Sequence, residues 1–145
     1  MLKVRKASRE DLRQISEIEK TSFKDPYPVS LLSLLLTISP EYFLVAEDSG
    51  RILGYVSALT EKSGKAHLVS IAVHPKHRKK GVARVLLENL MERLEAENVR
   101  EIWLEVRVSN RAAVSLYRSL GFQEQGIIEA YYEDGEDALS MKKPL

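Results

Sequence analysis

The succession of strand, helix and strand between residues 66 and 106 constrains the fold more than any other feature. Ala66–Val73 is apolar and short enough to be a strand. Gly81–Ala96 then repeats apolar side chains on one helical face, and Ile102–Val106 alternates apolar with polar residues as a half-buried strand does. Because long helical crossovers join parallel strands, the sequence predicts a sheet that contains a parallel pair.

The segments around this unit predict antiparallel neighbours. Two strands, Tyr42–Glu47 and Ile52–Thr60, precede it and are linked by short turns that suit hairpins. The other predicted elements are a strand Val4–Ala7, a helix that follows a Ser8/Asp11 capping box and ends before Pro26, helices Val29–Ile38 and Arg111–Leu120, and a closing hairpin of Phe122–Tyr131 and Ala138–Lys142 around Asp134-Gly135. We therefore expect one α+β domain over residues 1–145, with a mostly antiparallel sheet of six or seven strands and helices on both faces.

Composition excludes several classes of protein. Twenty-two basic and 21 acidic residues leave a formal charge of +1, whereas nucleic-acid binders usually carry a large positive excess. Cysteine is absent, no apolar run reaches the roughly 18 residues of a membrane span, and the first residues lack an export signal. His67, His74 and His77 lack acidic or cysteine partners at ligand spacing, so no metal is expected. We expect a cytoplasmic protein that binds neither nucleic acid nor membrane, as a monomer or weak homodimer.

A cluster of basic residues stands where the long helix begins, and it comprises Lys76, Arg78, Lys79, Lys80 and Arg84. A helix N-terminus carries about half a positive charge, so each nearby cation costs about 0.3–1 kcal/mol. An anion bound to the free amides would remove this conflict, and Gly81 would let its oxygens approach the backbone. A solvated basic loop would explain the same residues. The glycine patterns of P-loop and dinucleotide-binding proteins are absent.

Several motifs in order along the chain carry a resemblance to a known family. Arg78-Lys-Lys-Gly-Val-Ala83 matches an R/Q-x-x-G-x-G/A signature. The other motifs are Ser70-Ile-Ala-Val-His-Pro75, Trp103-Leu-Glu-Val-Arg107, Ser109-Asn-Arg-Ala-Ala113, Leu116-Tyr-Arg-Ser-Leu-Gly-Phe122 and a closing strand that ends in Met141. With these motifs the chain resembles the GNAT superfamily of acyl-CoA-dependent acetyltransferases, and within it the RimI-type N-terminal acetyltransferases. Two further segments, Phe23-Lys-Asp-Pro-Tyr-Pro28 and His67-Leu-Val-Ser-Ile-Ala-Val73, resemble the archaeal members more than the bacterial ones. The resemblance implies the GNAT fold, in which two parallel strands splay apart at their C-terminal ends.

The resemblance also implies an acetyl-CoA site in this splay. The backbone of Ile71, Ala72 and Val73 would pair with the pantetheine arm, and Asn110 would contact that arm. Buried-strand packing explains the side chains of the first three, so the expectation concerns only their backbone. The pyrophosphate would bind backbone amides, with basic side chains facing the adenosine phosphates, over Arg78, Lys79, Lys80, Gly81, Val82 and Ala83.

Two catalytic residues follow from the resemblance, Glu105 as general base and Tyr117 as general acid. An amine must be neutral to attack a thioester, and a carboxylate can take its proton directly or through a water. Strand alternation by itself favours a solvated or salt-bridged glutamate, and core packing by itself would explain the tyrosine. The Tyr117 hydroxyl would protonate the departing thiolate or only hydrogen-bond to its sulfur. His67 would order a catalytic water or be a partly exposed residue at a strand edge.

The implied acceptor is a polypeptide N-terminus, such as that of a ribosomal protein or a nascent chain. In RimI-type enzymes the acceptor lies between the loop that joins the first two helices and the last hairpin, which here implies Phe23, Pro26 and Tyr27 on one side and Tyr131 and Tyr132 on the other. Aromatic walls with polar tips suit such a narrow groove. An α-amino group titrates about 2.5 pH units below a lysine, which makes its deprotonation about 3.4 kcal/mol easier. A lysine side chain or a small amine is the alternative acceptor. A CoA-sensing module would need neither catalytic side chain, and an RNA-binding domain would need an aromatic sheet face.

Overall fold

Seven strands form one sheet in the order β1-β2-β3-β4-β5-β7-β6, in a computed structural model that describes residues 1–145. The strands are β1 (Lys3–Lys6), β2 (Phe43–Asp48), β3 (Arg51–Thr60), β4 (Lys65–Val73), β5 (Glu101–Arg107), β6 (Gln123–Ile128) and β7 (Ala138–Pro144). The helices are α1 (Leu12–Ser22), α2 (Val29–Ile38), α3 (Val82–Ala96) and α4 (Arg111–Ser119), with short 3-10 turns at Arg9–Asp11, Pro40–Tyr42 and Pro75–His77. This order of elements confirms the predicted mixed α+β fold. None of the four helices has the length and apolarity needed to cross a lipid bilayer.

The parallel pair β4–β5 is short and opens at one end. The two strands pair only from Lys65 with Glu101 to His67 with Trp103, and every other strand pair in the sheet is antiparallel. Immediately beyond His67, the register between β3 and β4 shifts, which leaves Val69 as the extra residue of a β-bulge. Because a bulge bends and twists its strand, it turns the rest of β4 away from β5.

Helices cover both faces of the sheet, as the sequence predicts. On one face, α3 and α4 enclose the larger core, in which Leu86 and Leu90 pack with Leu104 of β5. On the other face, α1 and α2 form a smaller core around Phe43 and Tyr55. The helix α1 packs against β3 and β4. The part of this second face that belongs to β5 is therefore covered less, and it is where the polar side chains of β5 project.

The closing hairpin differs from the prediction. We expected a strand from Phe122 to Tyr131, but β6 ends at Ile128, and residues 129–137 form a loop. Ala130 takes a left-handed conformation, with φ of +49°, and its N–H donates to the Asp137 carboxylate. This turn breaks the extended backbone, so Tyr131 lies on a loop instead of a strand. The other element boundaries shift by one or two residues.

Candidate active site

The loop that leads into α3 presents an unbroken row of unpaired amides. The backbone N–H groups from Arg78 to Arg84 donate to no acceptor in the protein. Lys79 and Gly81 both take left-handed conformations, with φ of +63° and +81°, and left-handed residues are typical of the loops in which backbone amides bind anions. The left-handed φ of Gly81 favours glycine, and a Cβ there would meet no protein atom within 4 Å, so the space beside the loop is open to a ligand. Such a row of free amides at the start of a helix suits an anion.

The basic side chains around this loop divide into two groups. Arg78 donates from Nε to the Val73 carbonyl at 3.0 Å and from Nη2 to Ser22 Oγ at 3.1 Å. Arg84 donates to Ser119 Oγ at 2.6 Å. Both side chains are held by protein atoms and brace the loop against β4, α1 and α4. Of the expected phosphate-facing side chains, those of Lys79 and Lys80 remain exposed without a protein partner.

Beyond His67, one edge of β4 has no neighbouring strand. The backbone of Ile71, Ala72 and Val73 lies in this stretch, paired with β3 on its other edge. The side chains of Ala72 and Val73 are buried, in agreement with the packing that the sequence predicts. Asn110 caps α4, because its Oδ1 accepts the Ala113 N–H at 3.2 Å, and its Nδ2 donates to no acceptor in the protein.

Glu105 projects from β5 onto the less covered face and is not a freely solvated residue. Its side chain is 12% exposed, and its Oε1 lies 2.8 Å from His67 Nε2. The Tyr131 hydroxyl approaches the same oxygen at 3.4 Å. Its other oxygen, Oε2, has no partner in the protein. A carboxylate oxygen only accepts hydrogen bonds, so the hydrogen bond to Glu105 Oε1 places the His67 proton on Nε2. The second oxygen, Oε2, is free to accept a proton from another group.

Trp103 and Glu61, which the sequence did not single out as site residues, complete the group around Glu105. The His67 ring stacks on the Trp103 indole, with centroids 3.8 Å apart and an angle of 12° between the planes. Trp103 Nε1 donates to Glu61 Oε1 at 3.0 Å. The alternation of Trp103, Glu105 and Arg107 on one face of β5 was a signal that all three share this surface.

The two loops expected to hold an acceptor lie side by side. Lys24, between α1 and α2, lies 3.4 Å from Asp134 in the β6–β7 loop. Tyr131 and Tyr132 of that loop pack edge to face, with centroids 5.0 Å apart. Burial, together with the negative charges of Glu19 and Glu105, raises the pKa of Tyr27. The predicted groove residues Phe23, Pro26, Tyr27, Tyr131 and Tyr132 are thus brought to the Glu105 side of the sheet.

Burial also raises the pKa of Tyr131 above its ordinary value, and the neighbouring Glu105 carboxylate adds to the effect. The pKa of Tyr132 rises to about 12, chiefly through burial and the neighbouring Tyr131. At neutral pH the hydroxyls of both tyrosines therefore keep their protons. They can donate hydrogen bonds near Glu105 but cannot act as bases there.

Arg107 holds the β6–β7 loop in place, a role the sequence did not reveal. Its Nη1 contacts Asp134 and Glu136, each at 2.9 Å, and its guanidinium lies 4.1 Å from the centre of the Tyr132 ring. Asp25, from the α1–α2 loop, lies 4.0 Å away. A single cation on β5 therefore fixes both loops with respect to the strand that carries Glu105.

Glu19 of α1 is a buried charge that organises the other loop. It is 2% exposed, accepts a hydrogen bond from the Tyr55 hydroxyl, and accepts the Tyr27 N–H at 2.9 Å. The Tyr55 oxygen also lies 2.8 Å from Ser70 Oγ. Glu19 follows Ile15 by four residues and so belongs to the apolar stripe of α1, where an acidic residue is a sign of a buried polar network.

Tyr117 lies in the larger core, 5% exposed, with its ring 5.5 Å from that of Phe122. Burial raises the pKa of its hydroxyl well above the usual value for tyrosine, and the neighbouring Tyr132 contributes. The hydroxyl is therefore a hydrogen-bond donor that releases its proton reluctantly. The structure contains no group of three His, Cys, Asp or Glu side chains arranged to hold a metal ion.

Comparison with known proteins gives a consistent picture. The model of the acetyltransferase (GNAT) family matches residues 12–122. An uncharacterized N-acetyltransferase from Methanocaldococcus jannaschii is 40% identical over 144 residues, which cover 97% of this chain and 92% of that protein. An N-alpha-acetyltransferase from Sulfurisphaera tokodaii is 36% identical and is covered to 93%, with 99% of this chain aligned.

A solved structure extends the similarity to the fold. The ribosomal-protein-S18-alanine N-acetyltransferase from Escherichia coli superposes with a TM-score of 0.88 at 33% identity. The alignment covers 99% of this chain and 94% of that one.

Proposed function

The chain belongs to the acetyltransferase (GNAT) family, and from that premise we propose that it moves an acetyl group from acetyl-CoA to the N-terminal α-amine of a protein. One observation carries the proposal. On one side of the β4–β5 opening lies a row of unpaired amides that suits a pyrophosphate, and on the other lies a carboxylate with a free oxygen between two tyrosine-lined loops.

The residues around the opening fit acetyl-CoA. Seven consecutive amides from Arg78 to Arg84 have no acceptor in the protein, and helix N-termini favour negative charge. Lys79 and Lys80 add positive charge beside them. The edge of β4 that lacks a neighbouring strand offers the backbone of Ile71, Ala72 and Val73 to the pantetheine amides, with the Val73 carbonyl also accepting from Arg78 Nε. Asn110 keeps its Nδ2 as a further donor.

Glu105 is the proposed general base. Its Oε1 is occupied by His67 and Tyr131, whereas Oε2 is open, so Oε2 takes the proton of the attacking amine directly or through one water. The new bond joins the amine nitrogen to the acetyl carbon, the bond from that carbon to sulfur breaks, and the thiolate leaves.

Tyr117 is proposed to act on the departing sulfur. Because burial raises the pKa of its hydroxyl, complete transfer of its proton to a thiol that titrates near 8.5 is uphill. Donation of a hydrogen bond to the sulfur asks less of the residue and still stabilises the charge that develops there. The Tyr117 hydroxyl thus donates a hydrogen bond to the sulfur from the buried end of the site.

Two arguments favour a protein N-terminus as the acceptor. The similar proteins from Sulfurisphaera tokodaii and Escherichia coli act on an α-amine and on a ribosomal-protein alanine, as their names state. A single carboxylate also accepts the proton of an α-amine far more readily than that of lysine, whose pKa lies about 2.5 units higher. We infer a ribosomal protein or nascent chain as the substrate.

The acceptor can be identified by mass spectrometry after incubation with acetyl-CoA. We expect acetylation at the α-amine of short peptides and none on a matched peptide whose N-terminus is blocked but which contains lysine. Preferential acetylation of the lysine side chain, or of a polyamine, would replace the proposed substrate with the alternative one.

The base is tested by Glu105→Gln, with Glu101→Gln as its matched control. Both residues lie on the same face of β5, but Glu101 pairs with Lys65 and Lys142, away from the opening. Glu105→Gln should lower kcat by about a hundredfold, the usual contribution of a general base, and leave CoA affinity unchanged. Equal turnover by the two variants would show that Glu105 is not the base.

A further inference from the structure

His67 forms the contact with Glu105, but little on its own strand fixes its ring. The side chain is 26% exposed, and its Nδ1 has no hydrogen-bond partner in the protein. The terminal torsion of histidine is broad, so a ring held at one nitrogen alone can rotate away from it. The proposed proton acceptor would then lose the N–H that orients its Oε1.

The Trp103 indole supplies the missing restraint. The ring centroids lie 3.8 Å apart and the planes are 12° from parallel, so the indole gives the His67 ring a flat surface to stack on. The indole is itself held, because its N–H donates to Glu61 in the turn between β3 and β4. His67 and Trp103 are also directly paired as the last residues of the parallel ladder, so the stack stands where β4 and β5 begin to separate.

We infer that Trp103 is a positioning residue for this enzyme: held by Glu61, it fixes the His67 ring, and the ring fixes the Glu105 carboxylate. The inference rests on the proposed role of Glu105 as base. The polar and stacking contacts of Trp103 are with Glu61 and His67 and not with Glu105 itself. Its effect passes through His67, and this dependence separates a positioning role from general support of the fold.

A double-mutant cycle between Trp103→Leu and His67→Ala tests the inference. In the wild-type background, Trp103→Leu should lower kcat about tenfold, with unchanged KM for acetyl-CoA; in the His67→Ala background it should lower kcat less than about twofold. Trp103→Phe keeps an aromatic surface and should recover most of the loss. Thermal unfolding and CoA binding are measured for each variant to establish that it is folded.

Glu61 provides a second route that leaves the stack itself in place. Glu61→Ala removes the acceptor of the indole N–H and should lower kcat about threefold, whereas Glu61→Gln keeps an acceptor oxygen and should lower it less. Independent, multiplying effects of Trp103→Leu and His67→Ala would overturn the inference, as would full turnover in Trp103→Leu. If Glu105→Gln kept wild-type turnover, the proposed base would fail instead, whatever the cycle gave.

Discussion

The two sides of the β4–β5 opening are built from different materials. The phosphate end of the proposed cofactor side consists of backbone amides from one contiguous stretch, Arg78 to Arg84, in a loop with two left-handed residues. The proposed acceptor side consists of side chains from α1, β4, β5 and two loops, held together by ion pairs and hydrogen bonds. A substitution on the cofactor side should therefore abolish acetyl-CoA binding, whereas the loss of one contact on the acceptor side should weaken peptide binding only in part.

The largest effect is expected from Gly81→Asp, on the cofactor side. The new carboxylate brings negative charge to the amides that would bind phosphate, and the left-handed φ of +81° disfavours any side chain. Affinity for acetyl-CoA, measured by calorimetry, should fall by about a hundredfold or more.

Gly64→Asp is the matched control for this change. Gly64 has the same φ of +81°, equally open surroundings and a place in the turn between β3 and β4, at the opposite end of β4 from the loop that leads into α3. It should bear the same backbone strain and keep wild-type affinity. Equal loss in both variants would trace the effect to strain and not to the phosphate site.

A smaller effect is expected from Arg107→Met, on the acceptor side. The substitution keeps the apolar stem and removes the cation that joins Asp25, Asp134 and Glu136. Without these ion pairs the β6–β7 loop is less ordered before the peptide binds. Part of the binding free energy is then used to order the loop, and KM for the peptide should rise about tenfold.

Steady-state kinetics with each substrate varied in turn will show whether the two sides are separable. KM for acetyl-CoA should stay unchanged in Arg107→Met. Arg118→Met, which breaks a more exposed pair with Glu124, should alter neither constant. A parallel rise in both KM values for Arg107→Met would mean that the two sides do not act independently.

The smallest effect on kinetics is expected from Tyr55→Phe, because Tyr55 lies in the core and affects the acceptor side only through Glu19. Removal of the hydroxyl deprives buried Glu19 of one donor, a change that costs about 1–3 kcal/mol of folding free energy. Glu19 still accepts the Tyr27 N–H, so KM for the peptide should rise only about twofold to threefold.

Urea unfolding measures the loss of folding free energy, and steady-state kinetics measures KM for the peptide. Tyr42→Phe serves as the control, because the Tyr42 hydroxyl forms no hydrogen bond within the protein. A Tyr55→Phe variant as stable as Tyr42→Phe would show that the buried network contributes little.

The contrast between the two sides also explains what could be predicted from the sequence. The loop before α3 could be singled out as a candidate anion-binding loop from the sequence, because its residues are contiguous and its positive charges are unfavourable at the N-terminus of the helix that follows. The order of strands and helices was readable from hydrophobic period and turn residues. Both signals are local.

The acceptor side was readable only through resemblance, because its contacts join residues far apart in the chain. His67 meets Glu105 across 38 residues, and Trp103 meets Glu61 across 42. The bulge at Val69 depends on how two strands align, which no single segment encodes. The end of β6 at Ile128 was missed because the Ala130 turn depends on Asp137, on the far side of the loop.

The most direct test of the account is a crystal structure with CoA joined covalently to the α-amine of a short peptide. The account predicts that the pyrophosphate lies on the amides of Arg78–Arg84. It also predicts that the amine nitrogen lies within hydrogen-bond distance of Glu105 Oε2, directly or through one water. A conjugate bound with its pyrophosphate elsewhere, or with its nitrogen out of reach of Glu105, would contradict it.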